Sequence, residues 1–211
     1  EKRAIDAFVF GNGSDVIMLV ATVHGNENAG TPILYKFMDY IKNNRSILNG
    51  RKIVVLPLAN PDGMANDVRT NANGVDINRN FPADNRIEAD FSGDHALSEP
   101  ESEFIYEIVN TCLPSRILSF HEPLNCIDYD GPGLEIAQKM AEVCHLDVKK
   151  LGGRHGSMGS YIGNDLGIPI ITVELPRGSS KLDESVLWKS YKNMLIEFVN
   201  YNDNVGNLKG L

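Results

Sequence analysis

The chain has 211 residues, with 20 lysines and arginines against 28 aspartates and glutamates, a formal charge of −8 and a hydrophobic share of 42%, which is the composition of one globular domain. That acidity excludes a general nucleic-acid binder, because no basic stripe is available to neutralise a phosphate backbone. The longest apolar run lies within Val16 to Val23, far short of the ~20 residues that cross a bilayer, so no membrane span is expected.

In chain order, Ile5 to Phe10 and Val16 to Val23 read as strands, followed by apolar positions at helical spacing, Ile33, Leu34, Phe37, Met38 and Ile41. Lys52 to Leu58 is a third strand. Asn60 to Leu97 is poor in apolar runs, rich in Asn, Asp, Gly and Arg, and too long for an inert connection, so it predicts a functional loop at an active-site mouth. Ser98-Glu99-Pro100-Glu101 predicts a capping box at the start of a helix carrying Phe104, Ile105, Ile108, Val109 and Cys112. A strand at Ile117 to Phe120, a helix through Ile136, Ala137, Met140 and Val143, a strand at Ile168 to Leu175 and a helix through Leu187, Tyr191, Met194, Leu195 and Phe198 complete the pattern. The strand runs are rich in Val and Ile and are expected to be buried on both faces. No repeat or linker divides the chain. The alternation predicts a single α/β domain over residues 1–211, a three-layer α/β/α sandwich around a mixed, mainly parallel sheet.

A chain of this length buries enough core to fold without staples, so a metal bound to it would be catalytic rather than structural. Cys112, Cys126 and Cys144 are odd in number and form no C-x-x-C pair, which argues against a disulfide framework. Cys112 and Cys144 close helical apolar patterns and read as buried, reduced thiols.

Chemistry concentrates in three places. H-G-N-E at His24 to Glu27 follows a strand directly, where open α/β sheets gather their ligands, and imidazole and carboxylate three positions apart can face one point. His121 ends another strand in S-F-H-E-P, and the three donors together would make a His2Glu zinc site with one position left for water. Taken singly, H-x-x-E or a strand-end His reads more simply as ordinary polar structure. Next, R-T-N-A-N-G-V-D-I-N-R-N-F-P from Arg69 to Pro82 carries two arginines. Arg79 beside Asn78 could hold a substrate's terminal carboxylate, and Arg69 could face charge developing on a carbonyl oxygen. Asp62, Asn71, Asn73, Asp76 and Asn80 are assigned to turns. Finally, Glu174 interrupts the β-branched run I-T-V-E-L-P, where a carboxylate must be paired or functional. It is either the general base beside a metal or the partner of an arginine such as Arg177.

Together these blocks resemble the zinc carboxypeptidase superfamily, the M14-type or funnelin metallopeptidases, from about Val16 to Arg177. Within it they look most like the murein peptide amidases that cleave γ-D-glutamyl-meso-diaminopimelate, through R-T-N-A-N-G-V-D-I-N-R-N-F-P, S-G-D ahead of S-E-P-E, S-F-H-E-P-L-N-C-I-D and G-S-M-G-S-Y before I-T-V-E-L-P. The resemblance implies one zinc ion on His24, Glu27 and His121, Glu174 as base and later acid, Arg69 polarising the scissile carbonyl, and Asn78 with Arg79 anchoring a carboxylate of a small peptide substrate. Digestive carboxypeptidases carry a mobile Tyr ahead of a Gly-Ser, but Leu151 to Gly156 before Ser157 holds none. Arg154 or His155 is left to replace it in contacting the substrate, the alternative for His155 being an exposed loop position. Met158 sits where those enzymes read the substrate side chain, while His95 and His145 read as surface residues. Two rival functions remain, a desuccinylase or aspartoacylase-type amidohydrolase and a non-catalytic peptide-binding relative. Murein recycling implies the cytoplasm; a leader removed ahead of Glu1 would instead imply the periplasm or secretion.

Overall fold

The computed structural model describes residues 3–202. Its strands are β1 (Phe8–Gly11), β2 (Asp15–Val20), β3 (Arg51–Leu56), β4 (Arg116–His121), β5 (Leu124–Asp130), β6 (Asp147–Val148) and β7 (Ile170–Pro176). The helices are α1 (Gly30–Asn43), α2 (Pro61–Asn66), α3 (Pro100–Cys112), α4 (Leu134–Ala141) and α5 (Glu184–Asn200). All strands join one sheet in the order β1-β3-β2-β4-β7-β5-β6. The central four are parallel, while β1 against β3 and β5 against β7 are antiparallel.

Period-two alternation divides the central strands between two cores. On β2, Ile17 and Leu19 face a cluster with Ile33, Phe37, Met140, Met194 and Phe198, from α1, α4 and α5. Met18 and Val20 face the opposite cluster, with Ile105 and Val109 of α3 and with Ile77, Phe81 and Met158 from irregular segments. The three layers of the α/β/α sandwich follow from that division.

The topology also locates a crevice. From β2 the chain crosses through α1 to β3, whereas from β4 it turns the other way into β5, so the connections diverge beyond the carboxyl ends of β2 and β4. Loops leaving in opposite directions open a cleft at such a switch point. The start of α1 is pressed onto β4 there: a Cβ on Gly30 would lie 2.4 Å from Phe120 Cβ, so only glycine permits that approach.

Several elements depart from the sequence expectation. β1 begins at Phe8 rather than Ile5 and is an edge strand of alternating exposure, with Val9 56% exposed, instead of a doubly buried one. β5 lacks the apolar signature of an interior strand, because Cys126, Asp128 and Asp130 place two carboxylates on one of its faces. The capping box does not form. Glu99 is the N-cap residue of α3 and its side chain caps nothing, while the Ser98 hydroxyl donates to Glu99 Oε1 and accepts from Asn80 Nδ2. Asn80 captures this region because its amide also bonds to Ser102, Ser92 and His95. All three cysteines are free thiols, but the buried one is Cys126, with Cys112 and Cys144 half-buried. Among the described residues, no helix is long and apolar enough to cross a membrane.

Candidate metal centre and its cleft

His24 and Glu27 occupy the turn between β2 and α1, closed by a hydrogen bond from Glu27 N to the His24 carbonyl. That turn is clamped from outside. Gly25 N and Asn26 N donate to the carbonyls of Arg69 and Val68, and the buried Asn60 amide donates to the carbonyls of Val23 and Thr70. A Cβ on Gly25 would sit 2.0 Å from the Gly63 carbonyl carbon, so the two loops touch backbone to backbone. His121, the last residue of β4, enters from the other side of the switch point.

Three donor atoms meet. His24 Nδ1 lies 2.8 Å from Glu27 Oε2, His121 Nδ1 lies 2.9 Å from the same oxygen, and the two Nδ1 atoms are 3.1 Å apart. All three residues are nearly enclosed by protein, at 3%, 9% and 4% exposure for His24, Glu27 and His121. Among the described residues this is the one cluster of donors positioned for a metal ion. Bonds of about 2.0–2.2 Å to a tetrahedral zinc put ligand atoms roughly 3.3 Å apart, close to the spacing here, and two nitrogens with one oxygen form the donor set of catalytic rather than structural zinc. Two imidazole nitrogens turned toward one another and toward a carboxylate are satisfied together by a shared cation. The residues therefore fit zinc.

The electrostatics point the same way. Burial opposes the charged form of Glu27, but hydrogen bonds from His121 and His24 outweigh it and hold the carboxyl well below the ordinary range. His24 is likewise penalised by burial as a cation, and contacts with Asp76 and Glu27 overcome this and raise it. By sequence Asp76 is a turn residue. It does accept from Asn78 N through Oδ1, but the same oxygen lies 3.1 Å from His24 Nε2 and its Oδ2 accepts from Arg69 Nε at 2.9 Å. A carboxylate behind a ligating imidazole fixes the ring's orientation, and no local motif distinguishes such an aspartate from a turn-former.

The cleft beside the triad has a volume of about 370 Å³, and its walls include Glu27, Arg69, Asn78, Arg79, Arg154 and Glu174. Arg69 donates from Nη1 to Glu27 Oε1 at 2.8 Å. Asn78 accepts at Oδ1 from Met158 N, which turns its amide group along the wall, and Arg79 Nη1 donates to the Asn78 carbonyl. Burial lowers Arg79, the Asp76 charge opposes that, and the Arg69 and Arg154 charges add to it, so three arginines lie close enough to act on one another. Glu174 is in register with His121 on the adjacent strand. Burial pushes its carboxyl up, with His121 opposing and Glu27 adding to the rise. No ion pair joins Glu174 to Arg177 among the described residues, and Arg177 lines a neighbouring depression instead.

Two expected substrate contacts lie elsewhere. The Met158 side chain is 1% exposed and packed in the second core, so only its backbone serves the cleft, through Asn78. His155 is exposed and its Nδ1 lies 2.8 Å from the Asn85 carbonyl, away from the cleft wall. Arg154, its neighbour, does line the cleft.

Comparison with known proteins followed the same lines. A family model described as zinc carboxypeptidase matches residues 1–125. Murein peptide amidase A of Escherichia coli (strain K12) is 32% identical over 181 residues, covering 77% of this chain and 72% of the relative. The gamma-D-glutamyl-L-diamino acid endopeptidase 1 of Lysinibacillus sphaericus is 24% identical over 247 residues, covering 92% of this chain and 62% of the relative. Among solved structures, the murein-tripeptide amidase of Escherichia coli O157 superposes with a TM-score of 0.72 at 26% identity, covering 92% of this chain and 86% of that one.

Proposed function

The chain belongs to the zinc carboxypeptidase family and is a zinc-dependent metallopeptidase, and from that premise we propose that it hydrolyses the γ-D-glutamyl-meso-diaminopimelate bond of murein peptides. One observation carries the hydrolytic reading: His24, Glu27 and His121 converge in the same cleft as Glu174, Arg69, Asn78 and Arg79. The choice of bond is supported by the murein peptide relatives and by a small cleft with several cations, which suits a short peptide bearing more than one carboxylate. Residues 1–211 act in this reading as one catalytic domain, and recycling of released peptides puts the reaction in the cytoplasm.

His24, Glu27 and His121 would hold zinc, which when bound would supply a water of pKa ~7 and polarisation of the substrate carbonyl. Glu174 accepts the proton of the attacking water, its raised basicity suiting proton transfer near neutral pH, and returns that proton to the departing amine. Arg69 swings from Glu27 to donate to the carbonyl oxygen as negative charge develops there. Asn78 and Arg79 grip the carboxylate of the departing residue and so fix the bond against Glu174. Asp76 holds His24 and Arg69 in place for these roles.

The test incubates zinc-loaded protein with L-Ala-γ-D-Glu-meso-diaminopimelate and, separately, with N-acetyl- and N-succinyl-amino acids, and reads products by mass spectrometry. Release of diaminopimelate supports the proposal. Cleavage confined to the N-acyl amino acids would replace it with an acyl-amino-acid hydrolase, and no turnover of any substrate would replace it with a binding role.

A further inference from the structure

On β5 the alternating residues Cys126, Asp128 and Asp130 face the same way, and in the antiparallel register Cys126 stands opposite Glu174 and Asp128 opposite Thr172. Directly opposed residues of paired strands project from one face. The floor of the cleft beyond Glu174 is accordingly polar, lined by Thr172, Asp128 and Asp130. Two carboxylates there are unusual, and they are not equivalent.

Asp130 is already neutralised. Its Oδ1 accepts from Lys150 Nζ at 2.7 Å, and its Oδ2 lies only 2.4 Å from where a Cβ on Gly159 would stand, so that oxygen is packed against backbone. Asp128 is 6% exposed and accepts from Leu151 N at Oδ1, yet no cationic side chain pairs with it among the described residues. Burial pushes its carboxyl up and the neighbouring Asp130 charge adds to the rise, while backbone N–H groups and the charge of Lys150, which is hydrogen-bonded to Asp130, oppose it only in part. A carboxylate enclosed at the wall of a cleft without a counter-charge is costly unless a bound group supplies one. The nearby arginines cannot fill that role while they hold substrate carboxylates.

We infer that Asp128 is a specificity-determining residue that accepts a hydrogen bond from the second ammonium group of a diamino acid in the departing half of the substrate. The spacing is suitable. Two residues along a strand span about 6.6 Å, which separates the Glu174 rung from the Asp128 rung and matches the reach of a side chain with three methylenes between its α-carbon and its amine-bearing carbon. The inference rests on the amidase reading for the identity of the departing residue, and it adds which atom of that residue is read and by which side chain.

The experiment is titration calorimetry of the zinc-loaded full chain with free meso-diaminopimelate and with 2-aminopimelate, which keeps both carboxylates and lacks the second amine. Wild-type protein should bind diaminopimelate about ten- to a hundredfold more tightly, the range of one buried charge-assisted hydrogen bond. In Asp128→Asn, whose amide oxygen still accepts from Leu151 N, that ratio should collapse to within about threefold of one. Its thermal midpoint should match or exceed wild type, since a buried uncompensated charge is removed. A wild-type ratio near one, undetectable diaminopimelate binding, an unchanged ratio in the variant, or a variant that melts well below wild type would each overturn the inference. Failure of hydrolysis with amine-dependent binding intact would remove the amidase reading and leave the assignment of Asp128 standing.

Discussion

Arg69 touches Glu27 with one nitrogen and Asp76 with another, yet it is 42% exposed toward the cleft, which lets it exchange a protein carboxylate for substrate charge. Arg69→Ala is expected to lower turnover about 10²–10³-fold, the usual cost of a lost oxyanion donor, with zinc content unchanged by plasma emission. Near-normal turnover would reject the role. Glu174→Gln should keep its zinc and lose hydrolysis, and loss of the metal would mark Glu174 as a ligand or structural residue instead. Asp76→Asn tests the support behind His24: zinc affinity, measured by chelator competition, should fall about 10–100-fold, and an affinity equal to wild type would reduce Asp76 to a turn residue. The triad was legible in the sequence because three metal-donor side chains at two strand ends occur together with the other motif blocks, although either motif alone reads as ordinary polar structure. Asp76 was not, because a short acid in a stretch of Asn and Gly has the same local signature whether it caps a turn or orients an imidazole. Met158 failed in the opposite sense: a position in a motif does not say which way a side chain points.

At the scale of elements, β4 must carry His121 to a fixed point while its other end is anchored. Arg116 provides that anchor. It is 4% exposed, pairs with both oxygens of Asp15 at the start of β2, and donates to the carbonyls of Phe198 and Val199 near the end of α5. Burial alone would raise the Asp15 carboxyl, but hydrogen bonds from Arg116 and Ser115 outweigh it, so the group lies below its ordinary value. A carboxyl lowered by folding stabilises fully above its unfolded pKa of ~4, and that stabilisation fades as pH falls through the lowered value. Asp15→Asn should therefore unfold at lower urea than wild type at pH 7, with the gap shrinking below about pH 4. A gap independent of pH would show that the charge of Asp15 is immaterial. The alternation of strands and helices was readable from apolar periodicity. β5 was not, because its cleft-facing residues are polar for a reason that lies across the sheet, and the Ser98 cap was lost because Asn80, distant in sequence, offered that segment more partners.

Across the whole molecule, a charge of −8 opposes the approach of an anionic peptide, while Arg69, Arg79 and Arg154 supply local positive charge in a cleft that also holds Glu27, Glu122, Asp128, Asp130 and Glu174. Screening over ~8–10 Å at ordinary ionic strength confines the surface acidity, and the half-buried Arg69 and Arg79 keep their local field. Salt should accordingly change KM for the peptide with little change in kcat. A kcat that moves as much as KM would place the salt-sensitive charge in the chemical step. The sequence by itself determined the donor types, the strand and helix periodicity and the family, since these depend on residue chemistry and on spacing along the chain. Only the tertiary structure decided that Asp76 stands behind His24, that Met158 belongs to the core, and that Asp128 lines the cleft with no ion-pair partner of its own among the described residues. These depend on the sheet order, which brings β4, β7 and β5 side by side, and on the divergence of the chain beyond β2 and β4, neither of which any local run of residues encodes.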